Sequence, residues 1–342
     1  MSSIKVSVLI PACNEEAVIH IPIKRCFEAF QQYSIAGEVV IMDSSTDNTP
    51  IIAKELGCKV VTIPKLGIGK AYVEGIHHVS GQYIVMGDAD GTYDFMEMNN
   101  FVDLLDSGYD FVMGTRLQGH IKKGAMPWSH RFIGTPLLTY FINLFYNTSI
   151  SDCNSGLRAI TKDAYEQIQL QSFGWEYASE MILKAARIGL KITETPVSLS
   201  PDQHNRTPHL NPWLAGWTNL RTIFLLACDK LFFKIGLPLY VLGSCITLSL
   251  YFGPFTVYGY TFGMFYMFFG LILAILGLQL LLSALFVKKG TFLNQFQNNS
   301  FFNPKKIILS FEKALVVCIS LGGISLLIFA AIFLYWTAIH TI

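Results

Sequence analysis

The stretch VMGDAD at residues 85–90 is an apolar run that ends in two carboxylates separated by one residue. Side chains at positions i and i+2 of an extended chain point to the same side. Asp88 and Asp90 can therefore present oxygen atoms to one point just beyond a buried strand. Hard divalent cations prefer oxygen ligands and often keep waters and substrate phosphates in their other positions. The pattern predicts a metal site; the alternative is a strand that simply ends in an acidic turn.

Short β-rich runs alternate with helical patterns over about the first 200 residues. The predicted strands are Lys5–Ile10, Glu38–Met42, Lys59–Ile63, Tyr83–Gly87, Tyr109–Met113 and Lys191–Thr195. The predicted helices are Glu15–Tyr33, Asp47–Leu56, Gly69–Val79 and Met96–Leu105. This alternation is typical of an α/β fold with a mostly parallel sheet and flanking helices. Ligands bind beyond the carboxyl ends of such strands, where this chain places polar residues such as Asn14, Asp43 and Arg116.

Composition and charge limit the classes of function. Hydrophobic residues make up 52% of the 342 residues and charged ones only 14%, and the formal net charge is +1. We expect no nucleic-acid partner, because so small a charge implies no broad basic face. The seven cysteines are scattered singly, which indicates neither a zinc ribbon nor a disulfide framework. Free thiols fit a reducing, cytosolic compartment for residues 1–210.

The chain becomes strongly apolar after about residue 220. Residues 211–234 carry Trp213 and Trp217 at helical spacing with basic residues nearby, which favours an amphipathic helix at a membrane interface over a helix buried on the first domain. Three apolar segments follow, about 235–252, 262–287 and 315–336, and each is near the roughly 20 residues that a spanning helix needs. We therefore predict an all-α transmembrane region of about three helices over residues 235–342.

Basic residues predict the orientation of these helices. Five lysines lie between 288 and 313, whereas the loop at 253–261 has no charge. The positive-inside rule places the lysine-rich loop in the cytosol, on the same side as residues 1–210. The sequence thus predicts a multi-pass integral membrane protein with a cytosolic catalytic domain.

Five motifs occur in order along the first domain. They are Pro11-Ala12-Cys13-Asn14-Glu15, Asp43-Ser44-Ser45-Thr46-Asp47-Asn48-Thr49, Gly67-x-Gly69-Lys70-Ala71, Asp88-Ala89-Asp90 and Gly114-Thr115-Arg116. Together with Ser155-Gly156-Leu157-Arg158, the set resembles the family 2 glycosyltransferases of GT-A fold. It is most similar to polyprenyl-phosphate sugar synthases of the dolichol-phosphate mannose or glucose synthase group, in a bacterial branch. The resemblance covers about residues 4–235.

The resemblance implies roles for individual residues. The donor nucleotide sugar would be held by Pro11, Ala12, Asn14, Glu15, Asp43, Gly69, Lys70 and Asp88. Asp88 and Asp90 would hold Mg²⁺ or Mn²⁺ on the donor diphosphate. The acceptor phosphate would meet Arg116 and Arg131, with Arg158, Arg206 and His209 as weaker candidates. Glu180 would have a catalytic or positioning role.

Ordinary explanations compete with some of these roles. Arg131 and Arg158 are equally well explained as surface or salt-bridged arginines, and Glu180 as part of a solvated helix face. Two departures from the family pattern add open points. The Asp-Asp-x-Ser-x-Asp motif is altered around Asp43, so either Asp43 or a neighbouring carboxylate reads the base. Thr92 stands where relatives carry a glutamine that contacts the metal, so that ligand is lost or replaced by Asp94.

The chemistry itself needs few parts. A departing nucleoside diphosphate gains negative charge, which a divalent cation stabilises as a Lewis acid. An acceptor phosphate monoester is mostly ionised at pH 7, since its second pKa is about 6, and needs positioning by arginines more than a strong base. We therefore expect a membrane-bound inverting glycosyltransferase that moves a hexose from a UDP-glucose-like donor or GDP-mannose to a polyprenyl phosphate. Self-association of the chain stays open.

Two other functions compete with this one. A processive polysaccharide synthase would share the Asp-x-Asp, but it would carry Gln-x-x-Arg-Trp, and none of the five tryptophans here follows an arginine. A non-catalytic membrane scaffold with a degenerate transferase fold is motivated by the altered Asp43 motif and by Thr92.

Overall fold

The computed structural model of the chain describes residues 4–202, 212–296, 320, 323–325, 327–332 and 334–335. The chain divides into two compact units, Met1–Leu226 and Ala227–Ile342. The domain limits predicted at residues 210 and 234 stay predictions. Arg206 and His209 lie outside the described residues, as does part of the third predicted apolar segment.

A mixed sheet forms the centre of the first unit. In the described part of the chain it has seven strands: β1 Val6–Ala12, β2 Gly37–Asp43, β3 Lys59–Thr62, β4 Tyr83–Met86, β5 Phe111–Thr115, β6 Arg158–Thr161 and β7 Ile192–Pro196. Their order is β3-β2-β1-β4-β6-β5-β7. Every neighbouring pair is parallel except those that β6 makes with β4 and β5. The mostly parallel sheet is therefore confirmed, and the antiparallel β6 was not predicted.

Eight helices accompany this sheet among the described residues. They are α1 His20–Gln32, α2 Thr49–Glu55, α3 Ile68–Gly75, α4 Met98–Asp106, α5 Thr135–Tyr146, α6 Lys162–Ile168, α7 Tyr177–Ile188 and α8 Pro212–Leu226. The first begins at His20, five residues later than predicted. Its third residue is Pro22, which has no N–H to donate and is tolerated in the first turn of a helix but not in its interior. Helices α5, α6 and α7 were not predicted.

The core of this unit lies against the sheet. Val8, Leu9 and Ile10 of β1 are fully buried, as are Phe95 and Phe101 near and within α4. A strand buried on both faces has a continuous apolar run rather than an alternating one. β1 and β4 are therefore recognisable in the sequence by their apolar runs, although neither shows a regular alternation of polar and apolar residues.

Helix α8 has two different faces. Phe224 packs against Phe141 of α5 with ring centroids 5.0 Å apart, and Asn219 is buried. Trp217 is 63% exposed and Leu225 is 61% exposed. Part of α8 is thus packed on the rest of the first unit, as the alternative interpretation held, while its tryptophan-bearing face stays exposed.

The second unit contains α9 Cys228–Tyr251, a hairpin of β8 Phe255–Val257 and β9 Tyr260–Phe262, and α10 Met264–Phe296. A Cβ atom at Gly243 would overlap the backbone nitrogen of Ala274, and one at Gly277 would overlap that of Tyr240. The two helices therefore meet backbone to backbone. By length and composition, Cys228–Tyr251 and Met264–Lys288 are the two helices of the described residues that could cross a membrane.

We expect Gly243→Leu to destabilise this helix pair, because its side chain has no space at the seam. Overpacking of this kind should lower the apparent Tm of the detergent-solubilised chain by about 3 °C or more. Gly263→Leu is the matched control, since nothing lies within 4 Å of the Cβ position there. Equal Tm values for the two variants would contradict the close approach.

Candidate active site

Two loops at the carboxyl edge of the sheet are joined into one unit. The residues after β1 and those after β2 exchange hydrogen bonds: Asn14 N donates to Ser45 Oγ at 2.8 Å, and Asn14 Oδ1 accepts from Thr46 N at 2.8 Å. Glu15 N donates to Thr49 Oγ1 at 2.8 Å. Asn14 has a left-handed backbone with φ 59°, which asparagine tolerates better than most residues. The resemblance assigns Pro11, Ala12, Asn14 and Glu15 to donor binding. These four residues thus lie in a segment that hydrogen bonds hold in place.

Asp43 is the last residue of β2 and directly precedes the second of these loops. Its side chain is 1% exposed, and within the described residues its Oδ1 has no hydrogen-bond partner. Buried polar atoms are almost always hydrogen-bonded, so this oxygen is suited to accept an N–H or O–H from a bound molecule. Asp47 differs, because its Oδ1 accepts from both N and Oγ1 of Thr49, the first residue of α2. The geometry favours Asp43 over Asp47 for reading a base.

The acidic pair lies just past β4. The strand ends at Met86, and Asp88 and Asp90 follow in a turn, so the alternation of an extended strand does not set their directions. Burial, and next the charge of Asp90, raise the pKa of Asp88 to about 7, while Arg116 and Arg158 act in the opposite direction. The two carboxylates are therefore near enough to repel each other. Two neighbouring carboxylates of this kind suit a bound cation, which would stabilise their ionised forms.

The residues present fit a hard divalent cation. Asp90 Oδ1 is oriented by Thr92, which donates from N at 3.0 Å and from Oγ1 at 2.7 Å. Among the described residues no group of three or more His, Cys, Asp or Glu side chains is gathered as a metal site. A cation held by two carboxylates would complete its coordination with water and substrate phosphate, as Mg²⁺ commonly does. Asp94 instead caps the helical turn at Phe95–Glu97, accepting from Met96 N at 3.0 Å.

A loop before β6 closes over Asp88. A Cβ atom at Gly156 would overlap Asp88 Oδ2, so this close approach requires glycine. Gly156 N donates to the Tyr93 hydroxyl at 2.8 Å. Arg158 is fully buried beneath, and its guanidinium donates to the carbonyl oxygens of Cys153, Ser155 and Ala178 at 2.7–2.8 Å. Arg158 thus supports the loop rather than presenting its donors at a surface.

Arg116 is fixed by a carboxylate that was not among the predicted site residues. Its Nε and Nη2 donate to the two oxygens of the fully buried Asp152 at 2.7 and 2.8 Å. Asp152 N donates in turn to Glu194 at 3.1 Å. Asp152 lies only three residues before the quoted Ser155–Arg158 motif, which is the signal that could have identified it. The Arg116 side chain is therefore held in one position, where its positive charge acts on Asp88.

Arg131 has a different environment. It is exposed, in the helical turn His130–Gly134 that leads into α5, with its guanidinium carbon 5.4 Å from the centre of the Phe132 ring. No ion pair with a carboxylate holds it in the described part of the chain. Burial, and next the charge of Arg116, lower the pKa of the adjacent His130, which places this turn near Arg116.

The remaining predicted residues lie in the first turns of two helices, Gly69 and Lys70 in α3 and Glu180 in α7. Lys70 N donates to Phe173 O at 3.3 Å, and Lys70 Nζ pairs with Glu74 at 3.0 Å. Glu180 is 3% exposed and accepts from the amides of Gln171 and Ser172. Tyr72, on α3 after Lys70, donates its hydroxyl to Gly87 O at 3.3 Å, directly before Asp88. Helix α3, which carries Gly69 and Lys70, is thus hydrogen-bonded to the residue before Asp88. Glu180 instead binds the backbone amides of the loop at Gln171 and Ser172.

Comparisons with known proteins agree with this geometry. Residues 7–169 match the profile of glycosyl transferase family 2. The low-salt glycan biosynthesis hexosyltransferase Agl6 of Haloferax volcanii is 40% identical over 281 residues, which are 82% of this chain and 67% of that protein. A dolichyl-phosphate hexose transferase of the same organism is 30% identical over 163 residues, which are 47% of this chain and 68% of that protein.

Solved structures show the same fold. Glucosyl-3-phosphoglycerate synthase from Mycobacterium tuberculosis, in complex with Mn²⁺, UDP-glucose and phosphoglyceric acid, superimposes with a TM-score of 0.53 at 22% identity. The match covers 65% of this chain and 79% of that one. The predicted GT-A type α/β fold and the resemblance based on the ordered motifs are both confirmed. The chain belongs to glycosyltransferase family 2.

Proposed function

We propose that this glycosyltransferase moves a hexose from a nucleotide sugar to a polyprenyl phosphate at a membrane surface. The observation that carries the proposal is an exposed apolar helical face, with Arg131 beside it, in the same unit as the acidic pair. The dolichyl-phosphate hexose transferase among the relatives supports a lipid-phosphate acceptor. The Mn²⁺ and UDP-glucose in the neighbouring structure support a UDP-hexose donor with Mg²⁺ or Mn²⁺.

The apolar face runs from the turn before α5 along that helix. Its large side chains recur at helical spacing and are 47–70% exposed: Trp128, Phe132, Ile133, Leu137 and Tyr140. Monomeric soluble proteins seldom expose contiguous apolar patches of this kind without a function. A helix with aromatic residues on one face and basic residues nearby suits the boundary between lipid headgroups and acyl chains. The acceptor would therefore reach the enzyme from the plane of the membrane.

The donor side of the reaction uses the rigid loops. Asp43 would accept a hydrogen bond from the base, and the loops after β1 and β2 would hold the nucleoside. Asp88 and Asp90 would hold the cation, which supplies charge stabilisation at the departing diphosphate. Arg116, already paired with Asp152, adds a fixed positive charge near that point and cannot swing away.

The acceptor side needs no strong base. A phosphate oxygen attacks the anomeric carbon from the face opposite the nucleotide. As that bond forms, the bond from the carbon to the diphosphate oxygen breaks, and its electron pair leaves with the nucleoside diphosphate. Arg131 is unpaired with carboxylates among the described residues and exposed beside the apolar face, so it can meet a phosphate at the membrane surface and position it bidentately.

The two apolar helices of the second unit would anchor the protein in the bilayer. Lys234 precedes the apolar stretch, Lys288 and Lys289 follow it, and no charged residue lies between. By the positive-inside rule both ends would be cytosolic. This supports the multi-pass arrangement with the active site facing the cytosol.

We expect membranes containing the protein to form a lipid-linked hexose from a labelled nucleotide sugar, polyprenyl phosphate and Mg²⁺. The donors to compare are UDP-glucose, UDP-N-acetylglucosamine and GDP-mannose, and a chelator should abolish the product. A polyprenyl-phosphate transferase of known activity serves as the positive control. No lipid-linked sugar from any donor, with the control active, would rule out this function.

Asp88→Asn and Asp90→Asn should each lower kcat by about a hundredfold or more, because the amide keeps the shape but removes a charged metal ligand. Circular dichroism should show an unchanged fold. Asp94→Asn is the matched control and should stay near the wild-type rate, since Asp94 caps a helical turn. A strong loss in Asp94→Asn with little loss in Asp90→Asn would reverse the assignment of the ligands.

Arg131→Ala should raise the KM for polyprenyl phosphate about tenfold and leave the KM for the sugar donor within about twofold. Steady-state kinetics with each substrate varied in turn provides the measurement. Arg25→Ala, another exposed arginine, should leave both values unchanged. The acceptor role is lost if Arg131→Ala affects the two substrates equally.

A further inference from the structure

Two segments of the first unit touch through their backbones. One is the glycine-rich segment Gly67–Lys70 at the start of α3, and the other is Gln171–Glu176 between α6 and α7. Lys70 N donates to Phe173 O, and a Cβ atom at Gly67 would overlap that same oxygen. Gly67 also has φ 109°, which other residues rarely adopt. The position of Lys70 therefore depends on where the 171–176 loop lies.

A buried carboxylate holds that second loop in place. Glu180 accepts from Ser172 N at 2.8 Å and from Gln171 N at 3.0 Å, and Lys184 Nζ lies 2.5 Å from its Oε1. Lys184 also donates to the carbonyl of Gln169 at 2.6 Å. The carboxylate is thus held by two successive amides of the loop and by one ammonium group. A buried ion pair with these extra hydrogen bonds is costly to break from one side only.

These contacts make Glu180 a poor proton acceptor. Burial alone would raise the pKa of Glu180, but the bonds from Lys184 and Ser172 outweigh it and lower that pKa below its usual value. General bases work best with a pKa near the operating pH. A role as general base is therefore disfavoured for Glu180. Its effect on the reaction would instead come from holding the backbone of the 171–176 loop.

The connection continues from the loop to the acidic pair. The Lys70 ammonium lies 5.1 Å from the centre of the Phe173 ring, so both the backbone and the side chain of Lys70 contact the loop. Two residues further along α3, Tyr72 donates its hydroxyl to the carbonyl of Gly87, which precedes Asp88. Tyr72 also packs on Tyr177 at the start of α7, with ring centroids 4.8 Å apart. Tyr72 thus connects α3 both to the residue before Asp88 and to the start of α7.

We propose that Glu180 is a positioning residue for the donor: it fixes the 171–174 backbone, which in turn holds Lys70 where the donor diphosphate binds. This inference rests on the proposed function and on the donor role that the family resemblance implies for Gly69 and Lys70. Glu180 would then determine the affinity for the nucleotide and take no part in proton transfer or bond breaking.

The test compares Glu180→Gln with the wild type in the full-length protein. A glutamine can accept from one of the two amides but turns its own NH₂ group toward the other, so the loop loosens without a large change of volume. We expect the KM for the sugar donor to rise about tenfold while kcat changes less than about threefold. The affinity for UDP with Mn²⁺, measured by calorimetry, should fall by a similar factor, and the Lys70 amide should exchange its hydrogen faster.

The matched control is Glu38→Gln. Glu38 also holds a loop, accepting from Ser80 N at 2.6 Å, but it lies at the start of β2, at the opposite edge of the sheet. It should leave the KM for the donor and the exchange at Lys70 unchanged. In a Lys70→Ala background, Glu180→Gln should add less than about a twofold effect, because two residues that act through one contact are not additive.

Two results would overturn the inference. One is an unchanged affinity for UDP with Mn²⁺ and unchanged exchange at Lys70 in Glu180→Gln. The other is a loss confined to kcat, which would make Glu180 catalytic. The first result is independent of the acceptor, since a protein that binds UDP with Mn²⁺ but makes no lipid-linked sugar would contradict the proposed function and leave the binding and exchange measurements intact.

Discussion

The burial of Asp88 next to a second carboxylate is the constraint on which the rest of the catalytic unit depends. Like charges at a partly buried site favour protonation, and the pKa of Asp88 is raised accordingly. The fold opposes this with two arginines that cannot move. Arg116 is gripped by the buried Asp152, and Arg158 is tied to three carbonyl oxygens. Because these partners are internal, the charges around Asp88 are in place before any substrate arrives.

The sequence predicted the parts of the fold that follow from apolar patterning. Six of the seven strands, the parallel arrangement and the edge that carries the polar residues were all evident. β4 and residues 8–12 of β1 are continuous apolar runs because both faces are covered, and polar residues such as Asp43 and Asp88 mark where such runs end. The ordered motifs added the family, which periodicity alone does not contain.

Other features could not be read from local pattern. β6 has four residues and begins with Arg158, a residue that looks exposed in sequence and is buried only because carbonyl groups from two other segments satisfy it. The pairing of Arg116 with Asp152 joins positions 36 residues apart, and the amides that Glu180 binds come from a loop without regular structure. In each case the partner of the charge lies elsewhere in the chain. Arg116, Arg158 and Glu180 are therefore already engaged by other parts of the chain.

The close contact between α9 and α10 bears on how the second unit responds to its surroundings. From residue 235 to residue 287 the chain has no Asp, Glu, Lys, Arg or His. Without such groups, the association of the two helices depends on shape and dispersion forces, the main sources of helix packing in lipid. Ionic strength and acidity have little to act on there, whereas the ion pairs of the catalytic unit are sensitive to both. In the membrane-embedded arrangement proposed above, the helix pair would therefore respond to bilayer thickness and lateral pressure more than to salt or pH.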